Sequence, residues 1–517
     1  MNATGPDHKP GSDSDHESDN PYQLPQASPT KASGWLSRLL PGRFGKNVLS
    51  NAGGNALHSA MQLGLLLVLI RILDDRSYAA FLLATFLVGL LEMASDYGTR
   101  IWATREFSFV KSGRPILQRS CQSKLFYTVL SGAAAACLPL NTLDTTAFAI
   151  CLLIAATQPS TDPLLWYLRG QERLDVEAGV VLAFRTLVTG GMLATAWLGG
   201  SLYLMLLIWL AGNVARIIIT SRLSLTSSLF AVPDPASVTE SPPLSATLTY
   251  VFPIGTAFVL TALFQRATVF LLDIFATPQD IKFYGTAFKV VSTSGFVATS
   301  IFVSSFPRLA KAIASNDRPL IRTVISKMLT LVTAVFAPIC IVGILATVPL
   351  SRLTPIDDVL PIARITVLLM PGLYLSCVNM GLKYTLNAFE LNWQDVCAVV
   401  VGMMVLTVVT VFHGRFSWAE AAAIGWGAGE GSLLTGRLLL LWKHKRHAGV
   451  PLRLILTATS ALVLMTGLTW TPAATLTAGS PGTNSEAIDS TTTSHFATSD
   501  RSTDSFRAAA PSTTVTN

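Results

Sequence analysis

The chain is short of charge. Lys, Arg, Asp and Glu make up 13% of its 517 residues, about half the share of an ordinary soluble protein. With 50% hydrophobic residues and a mean hydropathy of +0.50, most soluble folds are excluded. Cysteine is scarce too. Cys121, Cys137, Cys151, Cys340, Cys377 and Cys397 lie in or beside apolar segments with no CxxC pair, which indicates neither a metal site nor a disulfide framework. Cys137 and Cys151 flank one outer loop and are placed to pair; buried free thiols are the alternative reading. Catalytic signatures are missing as well: there is no HExxH, no GxSxG and no histidine cluster. The nearest approach to a phosphate loop, Gly42 to Asn47, has the wrong spacing and no Ser or Thr after Lys46. The first 33 residues hold no apolar core before Trp35, so no cleavable signal peptide is read. The expectation is a protein that is not an enzyme and uses no cofactor and no metal.

What the chain does have is apolar runs near the roughly 20-residue length that spans a bilayer. A first block of six is read at about 52 to 73, 78 to 99, 123 to 141, 146 to 167, 178 to 198 and 201 to 221, and a second at about 246 to 272, 281 to 306, 327 to 349, 362 to 383, 393 to 413 and 418 to 442. The fold class predicted is an all-α polytopic membrane protein. It has about twelve transmembrane helices in two six-helix lobes, 51–222 and 246–445, around a central cavity. A thirteenth stretch, 452–470, is long enough to span and also suits a helix lying flat. Residues 1–33 read as a disordered tail, 34–50 as a basic interfacial segment with Trp35, Arg38, Arg43 and Lys46, 223–245 as a linker, and 471–517 as a disordered Ser/Thr-rich tail.

The net charge of +7 is not gathered into one basic domain, which argues against a nucleic-acid partner. Lys and Arg resist translocation and so mark the cytoplasmic side. With the amino terminus inside, the inner loops hold Arg100, Arg105, Lys111, Arg114, Arg119 and Lys124, then Arg169, Arg173, Arg216 and Arg222, then Arg308 to Lys327 and Lys443 to Arg446. The outer loops hold only Arg71, Arg76, Lys282, Arg352 and Arg415. The stretch Leu69 to Phe81 is echoed by Leu271 to Phe288, and each crosses from one span into the next. Six spans separate the copies, so the halves share one orientation and are related by an axis along the membrane normal.

These residues resemble a family, the Wzx-type oligosaccharide flippases, in the superfamily (MOP) that includes the MATE drug exporters and the lipid II flippase MurJ. The resemblance covers about residues 46 to 445. It rests on Asn47 to Asn55, Arg71-Ile-Leu with Tyr78-Ala-Ala-Phe81, Asp96-Tyr-Gly98, Asp273, Tyr284-Gly285-Thr-Ala-Phe288-Lys289 and Phe306-Pro307-Arg308-Leu-Ala310. The chain departs from the common pattern at Ala80, where a Gly often follows the Tyr, and in its long polar tails. The resemblance implies transfer of an undecaprenyl-diphosphate-linked oligosaccharide across the bacterial inner membrane for exopolysaccharide or other surface polysaccharide, without ATP hydrolysis and coupled to an ion gradient. The partners implied are that lipid-linked oligosaccharide, membrane lipids, and polysaccharide polymerase and export proteins.

Ionisable and polar residues within spans are then the informative positions, because a sugar diphosphate needs a wet pathway with cations. Asn51, Asn55, His58 and Gln62 recur on one helix face and are read as substrate-binding cavity lining; a first turn in the headgroup zone also explains Asn51. Glu92, Asp96 and Arg100 share a face, so Asp96 is expected to pair with Arg100, while the deeper Glu92 is a candidate ion-coupling carboxylate or a structural partner. Arg185, Arg266 and Lys289 are assigned to the diphosphate or to acidic sugars, with Asp273 as resting counter-ion; an Asp273–Lys289 bridge is the structural alternative. Asn213 with Arg216, Asn379 with Lys383, and Glu430 with Arg437 are read as helix-end groups snorkelling to the interface. Pro253, Pro338 and Pro371 are read as kinks or hinges. Gly425, Gly427, Gly429 and Gly431 give overlapping small-xxx-small pairs for close helix contact.

Four rivals stand beside this reading. A membrane polymerase would need a substantial outer loop, and the loops here are short. A MATE-type exporter favours acids and aromatics in its cavity, whereas a lipid II flippase shares the expected chemistry. A scaffold without transport would not require buried charges.

Overall fold

The computed structural model describes residues 42–109, 114–170, 174–225, 243–353, 358–389, 391–412, 414, 416–444 and 450–478. The expected tail 1–33, residues 34–41 of the expected basic segment, most of the 223–245 linker and residues 479–517 of the expected 471–517 tail lie outside the described residues, whereas 471–478 are helical. Every regular element described is an α-helix, in the order α1 (Gly42–Ile72), α2 (Asp75–Asp96), α3 (Thr99–Phe109), α4 (Arg114–Ala135), α5 (Thr145–Ala156), α6 (Gln158–Gly170), α7 (Leu174–Trp197) and α8 (Leu202–Leu225). There follow α9 (Leu244–Phe275), α10 (Pro278–Thr293), α11 (Gly295–Ala314), α12 (Arg318–Leu353), α13 (Val359–Ala388), α14 (Asn392–Val411), α15 (Trp418–Lys443) and α16 (Leu452–Ala478).

Eight helices among the described residues are long and apolar enough to cross a membrane: 75–96, 145–168, 179–197, 202–222, 244–275, 318–347, 359–388 and 392–411. Leu57–Ile72 and Leu452–Gly467 are shorter apolar helices. The expected runs at 123–141, 281–306 and 418–442 also form helices. They carry Lys124, Lys282 with Lys289, and Glu430 with Arg437, and these charges lower their hydropathy. The stretch after residue 452 is helical, with Ile455 and Leu462 fully buried.

The sequence repeat has a structural basis in two matching joints. Asp74 caps α2 by accepting the Ser77 amide, and Thr277 caps α10 in a reciprocal capping box with Asp280. The Ser77 hydrogen bonds also hold the Asp74 carboxyl below its usual range. Tyr78 and Tyr284 follow these caps at different depths, Tyr284 a turn further in. Both are fully buried, and their hydroxyls bond Thr286 (2.8 Å) and Thr268 (2.6 Å). The first of these bonds ties α2 to α10.

Two expected spans are interrupted. The fourth breaks at Thr157 into α5 and α6, where Pro159 and Pro163 each remove a backbone donor. The eighth breaks at Ser294, after Ser292 and Thr293 have turned their hydroxyls back onto the Lys289 carbonyl and Ser294 its own onto Val291. Helices run on through Pro253, Pro338 and Pro371, so the interruptions fall elsewhere than at the prolines read as hinges.

At the other end of α2, Tyr97 takes a left-handed conformation (φ 35°), followed by Gly98 at φ 76°. This stops the helix at Asp96. Tyr97 stacks on Tyr127 at 4.1 Å and shares a hydrogen bond with Thr256 of α9 (2.7 Å). Gly255 makes the contact possible, since a Cβ there would lie 2.1 Å from the Tyr97 ring. The glycine stripe of α15 serves the same purpose: a Cβ on Gly429 would lie 3.0 Å from the Gly402 carbonyl of α14, and one on Gly425 would lie 2.2 Å from Thr410.

Gly255→Ala is therefore expected to lower the melting temperature of the detergent-solubilised protein, at a cost of about 1–3 kcal/mol. Gly64→Ala, where a Cβ meets nothing within 4 Å, should leave it unchanged or slightly raised. Equal melting of the two variants would refute the close α2–α9 approach.

Candidate functional site

A cavity of about 200 Å³ opens between helices of the first half and α10. It is lined by His58 and Gln62 from α1, Glu92 from α2, Arg185 from α7, Asn213 and Arg216 from α8, and Lys289 from α10, with Phe81, Phe184 and Trp209 supplying apolar walls. Asn55 continues the α1 stripe, but its side chain lies outside the described residues. Among the described residues, three cations thus line one space with one carboxylate. Lys289 makes no ion pair among the described residues, and its ammonium stands 4.7 Å over the Phe86 ring. Glu92 has Lys124 and Arg216 within electrostatic reach and faces Arg185 and Arg266 as well.

Arg266 sits behind this wall. Its Nη1 donates to the Ala262 carbonyl (3.3 Å) and to the Met93 sulfur (3.5 Å), and Nη2 fills the space beside Gly89. Asp273 is corrected by the structure. Its two carboxylate oxygens accept the backbone amides of Asn141 (2.8 Å) and Thr142 (3.0 Å), so it fastens the α4–α5 loop to α9 instead of neutralising Arg266 or Lys289. Two backbone donors outcompete a cation seven or more residues deeper in the helix.

Asp96 is corrected too. Because the helix ends at Tyr97, Arg100 does not follow Asp96 on a common face, and Asp96 instead accepts from Lys124 of α4. The Lys124 ammonium is wholly buried. It also donates to Asp162 of α6 at 2.5 Å and lies 5.0 Å from the Trp166 ring. Asp162 in turn meets Arg216, 3.5 Å away, whose Nη2 also donates to Thr161 (2.9 Å). Sequence reasoning placed Lys124 in a loop and Arg216 at an interface, and it passed over Asp162. The signal was an acid inside an apolar run with a basic residue in each neighbouring run.

A second buried network lies among α13, α14 and α15. Arg437 grips Asp395 with two nitrogens (2.6 and 3.1 Å) and donates to the Asn379 carbonyl (2.7 Å), while the Asn379 amide donates to Glu430 (2.7 Å). Lys383 donates to Thr261 (3.0 Å) and stands 4.1 Å over Phe258. All five of these polar residues are buried, Arg437 at 1% exposure and Asp395 at 0%, so none of them snorkels to the interface. At the opposite end of α2, Lys282 bridges Asp75 (2.7 Å) and Asp358 (2.5 Å), joining α2, α10 and the start of α13.

No family model matches the chain, and no curated protein matches it. Solved structures do. The eukaryotic MATE transporter AtDTX14 superposes with a TM-score of 0.55 at 10% identity, covering 81% of this chain and 98% of that one. A MOP superfamily transporter from Pyrococcus furiosus gives 0.54 at 12% identity over 81% and 99%. Lipid II flippase MurJ, in an inward closed conformation, gives 0.51 at 9% identity over 81% and 98%. The chain has the fold of the MATE transporters and of MurJ.

Asp395→Ala leaves the buried Arg437 guanidinium without its fork partner and is expected to cost about 3–5 kcal/mol, read as loss of folded protein on size exclusion. The double change Asp395→Leu with Arg437→Met should recover most of that loss. Failure of the double change to recover would mean that the network does more than hold the helices.

Proposed function

We propose that this chain is a flippase of the bacterial inner membrane. It carries undecaprenyl-diphosphate-linked oligosaccharide repeat units outward for surface polysaccharide, by alternating access, with its amino terminus in the cytoplasm. The observation that carries this reading is the cavity's charge: Arg185, Arg216 and Lys289 converge on a space in which Glu92 is the sole lining carboxylate among the described residues. Cations buried in a bundle are costly, and they are retained where an anion passes. A diphosphate supplies that anion, and the His58–Gln62 stripe with Asn213 offers hydrogen bonds to sugar hydroxyls. Glu92 then serves as the counter-ion that the substrate displaces.

The fold supports this reading from a second side. MurJ, with the same fold, is a lipid II flippase. In the Pyrococcus furiosus transporter the reverse polarity of the binding pocket suggests a different function, so pocket charge is a variable on which substrate choice turns. The cationic lining separates this chain from an exporter of cationic drugs. Lys and Arg concentrate on the loops read as cytoplasmic, which supports the orientation.

In cells lacking the protein, lipid-linked oligosaccharide should accumulate as complete units shielded from an impermeant sugar-modifying reagent, while surface polymer disappears. Units that still become accessible would move the protein to a later step and refute the flippase reading. Lys289→Ala and Arg185→Ala, inserted at normal levels, should each cut export by about tenfold or more, the loss of one charge-assisted contact.

A further inference from the structure

Arg266 lies behind the α2 wall of the cavity, and that wall has a gap in front of it. Helix α2 turns Phe81, Thr85, Gly89 and Glu92 to the cavity, at spacings of four, four and three residues that keep them on one helical face. Gly89 alone among them brings no side chain to that face. A Cβ built on it would lie 3.2 Å from Arg266 Nη2, 3.6 Å from Nε and 3.8 Å from Cζ. The half-buried guanidinium of α9 therefore looks onto the space that a side chain at position 89 would fill.

The edge of the guanidinium that faces Gly89 is the one that binds anions. Nε and Nη2 form a planar two-point fork, and Arg437 uses the same pair to grip Asp395 at 2.6 and 3.1 Å. At Arg266 that fork meets no acceptor among the described residues. Its remaining nitrogen, Nη1, makes two long contacts, to the Ala262 carbonyl at 3.3 Å and the Met93 sulfur at 3.5 Å. Glu92 attracts Arg266 from a distance without an ion pair, and Lys289 repels it. Arg437, which holds helices together, has all three nitrogens engaged at 3.1 Å or less. Arg266 holds an equally costly charge inside the bundle and leaves its fork unfilled, beside a second cation of the same half. That is the arrangement of a seat for an anion, entered where α2 lacks a side chain.

We propose that Gly89 is a positioning residue for the substrate: it leaves the opening in α2 through which the Arg266 fork takes a phosphate oxygen of the diphosphate. The second half of the chain then holds the anion with Arg266 and Lys289, opposite Arg185 and Arg216 of the first. This rests on the flippase reading for the nature of the anion. A side chain at position 89 covers the fork, so it acts on the substrate by way of Arg266.

Titration calorimetry of farnesyl diphosphate into the full chain in detergent, at several salt concentrations, tests this as a double-mutant cycle. Arg266→Gln should weaken binding about tenfold and make it less sensitive to salt, because one charge fewer faces the anion. Gly89→Val should match it in both respects, and adding Gly89→Val to Arg266→Gln should cause no further loss. Should the valine variant not fold, Gly89→Ala carries the same comparison with a smaller loss, since its Cβ stands at the mouth of the fork. Wild-type affinity in Arg266→Gln, or a further loss when the two changes are combined, would overturn the proposal. So would a Gly89 variant that binds weakly with undiminished salt dependence, the mark of a side chain that only crowds the cavity. A purely structural contact between Gly89 and Arg266 would lower the melting temperature and leave affinity and salt dependence unmoved. Binding that ignores these changes refutes this inference alone, whereas no binding of the prenyl diphosphate by the wild type refutes the flippase reading and removes this one with it.

Discussion

A charge inside a bilayer-spanning bundle must find an opposite charge, a dipole or water, and nearly every polar decision in this protein follows from that constraint. Where the partner is fixed, the charge becomes mortar. Asp395 and Arg437 meet through a two-point fork at the join of α14 and α15, and Lys282 spans two aspartates where α2, α10 and α13 come together. Other charges border the cavity: Lys289, with no ion pair among the described residues, stands over the Phe86 ring, and Arg185 lines the same space as Glu92.

The same constraint explains why helix ends carry so much of the architecture. At one end of α2 the Asp74 cap starts the helix and brings Tyr78 to Thr286; at the other, the left-handed Tyr97 stops it and turns Asp96 toward Lys124. Without that stop, Asp96 would lie one turn from Arg100 along a continuing helix, and Lys124 would be left buried with Asp162 alone. The strained residue and the buried ion pair thus sustain each other.

Much of the fold was legible from the residues. Apolar runs located helices because a bilayer demands length and hydropathy together, and the repeat located the two capped joints because caps are local chemistry. Arg185, His58, Gln62, Glu92 and Lys289 were legible as site candidates for the same reason, since a polar residue in an apolar run stands out. What stayed hidden depends on geometry that spacing does not encode. Asp273 was misassigned because its partners are backbone amides of a loop 131 and 132 residues away, which carry no side-chain signal. Asp96 was misassigned because an i to i+4 argument assumes a continuous helix, and Tyr97 breaks it. Lys124 was placed in a cytoplasmic loop, and Arg437 at a helix end where a cation usually snorkels; here each meets an aspartate from another helix instead.

The two buried networks differ in one respect that decides what each can do. The α13–α15 network closes on itself: the Asp395 fork is complete, Glu430 is held by the Asn379 amide, and none of these residues lines the cavity. The α2–α8 network is open, because Arg216 belongs to both that network and the cavity wall. Both networks join acids and bases from several helices by side-chain contacts. Only the second has a member, Arg216, that is also part of a cavity wall among the described residues, so a change in what the cavity holds reaches the second network directly and the first only through the packing of the helices.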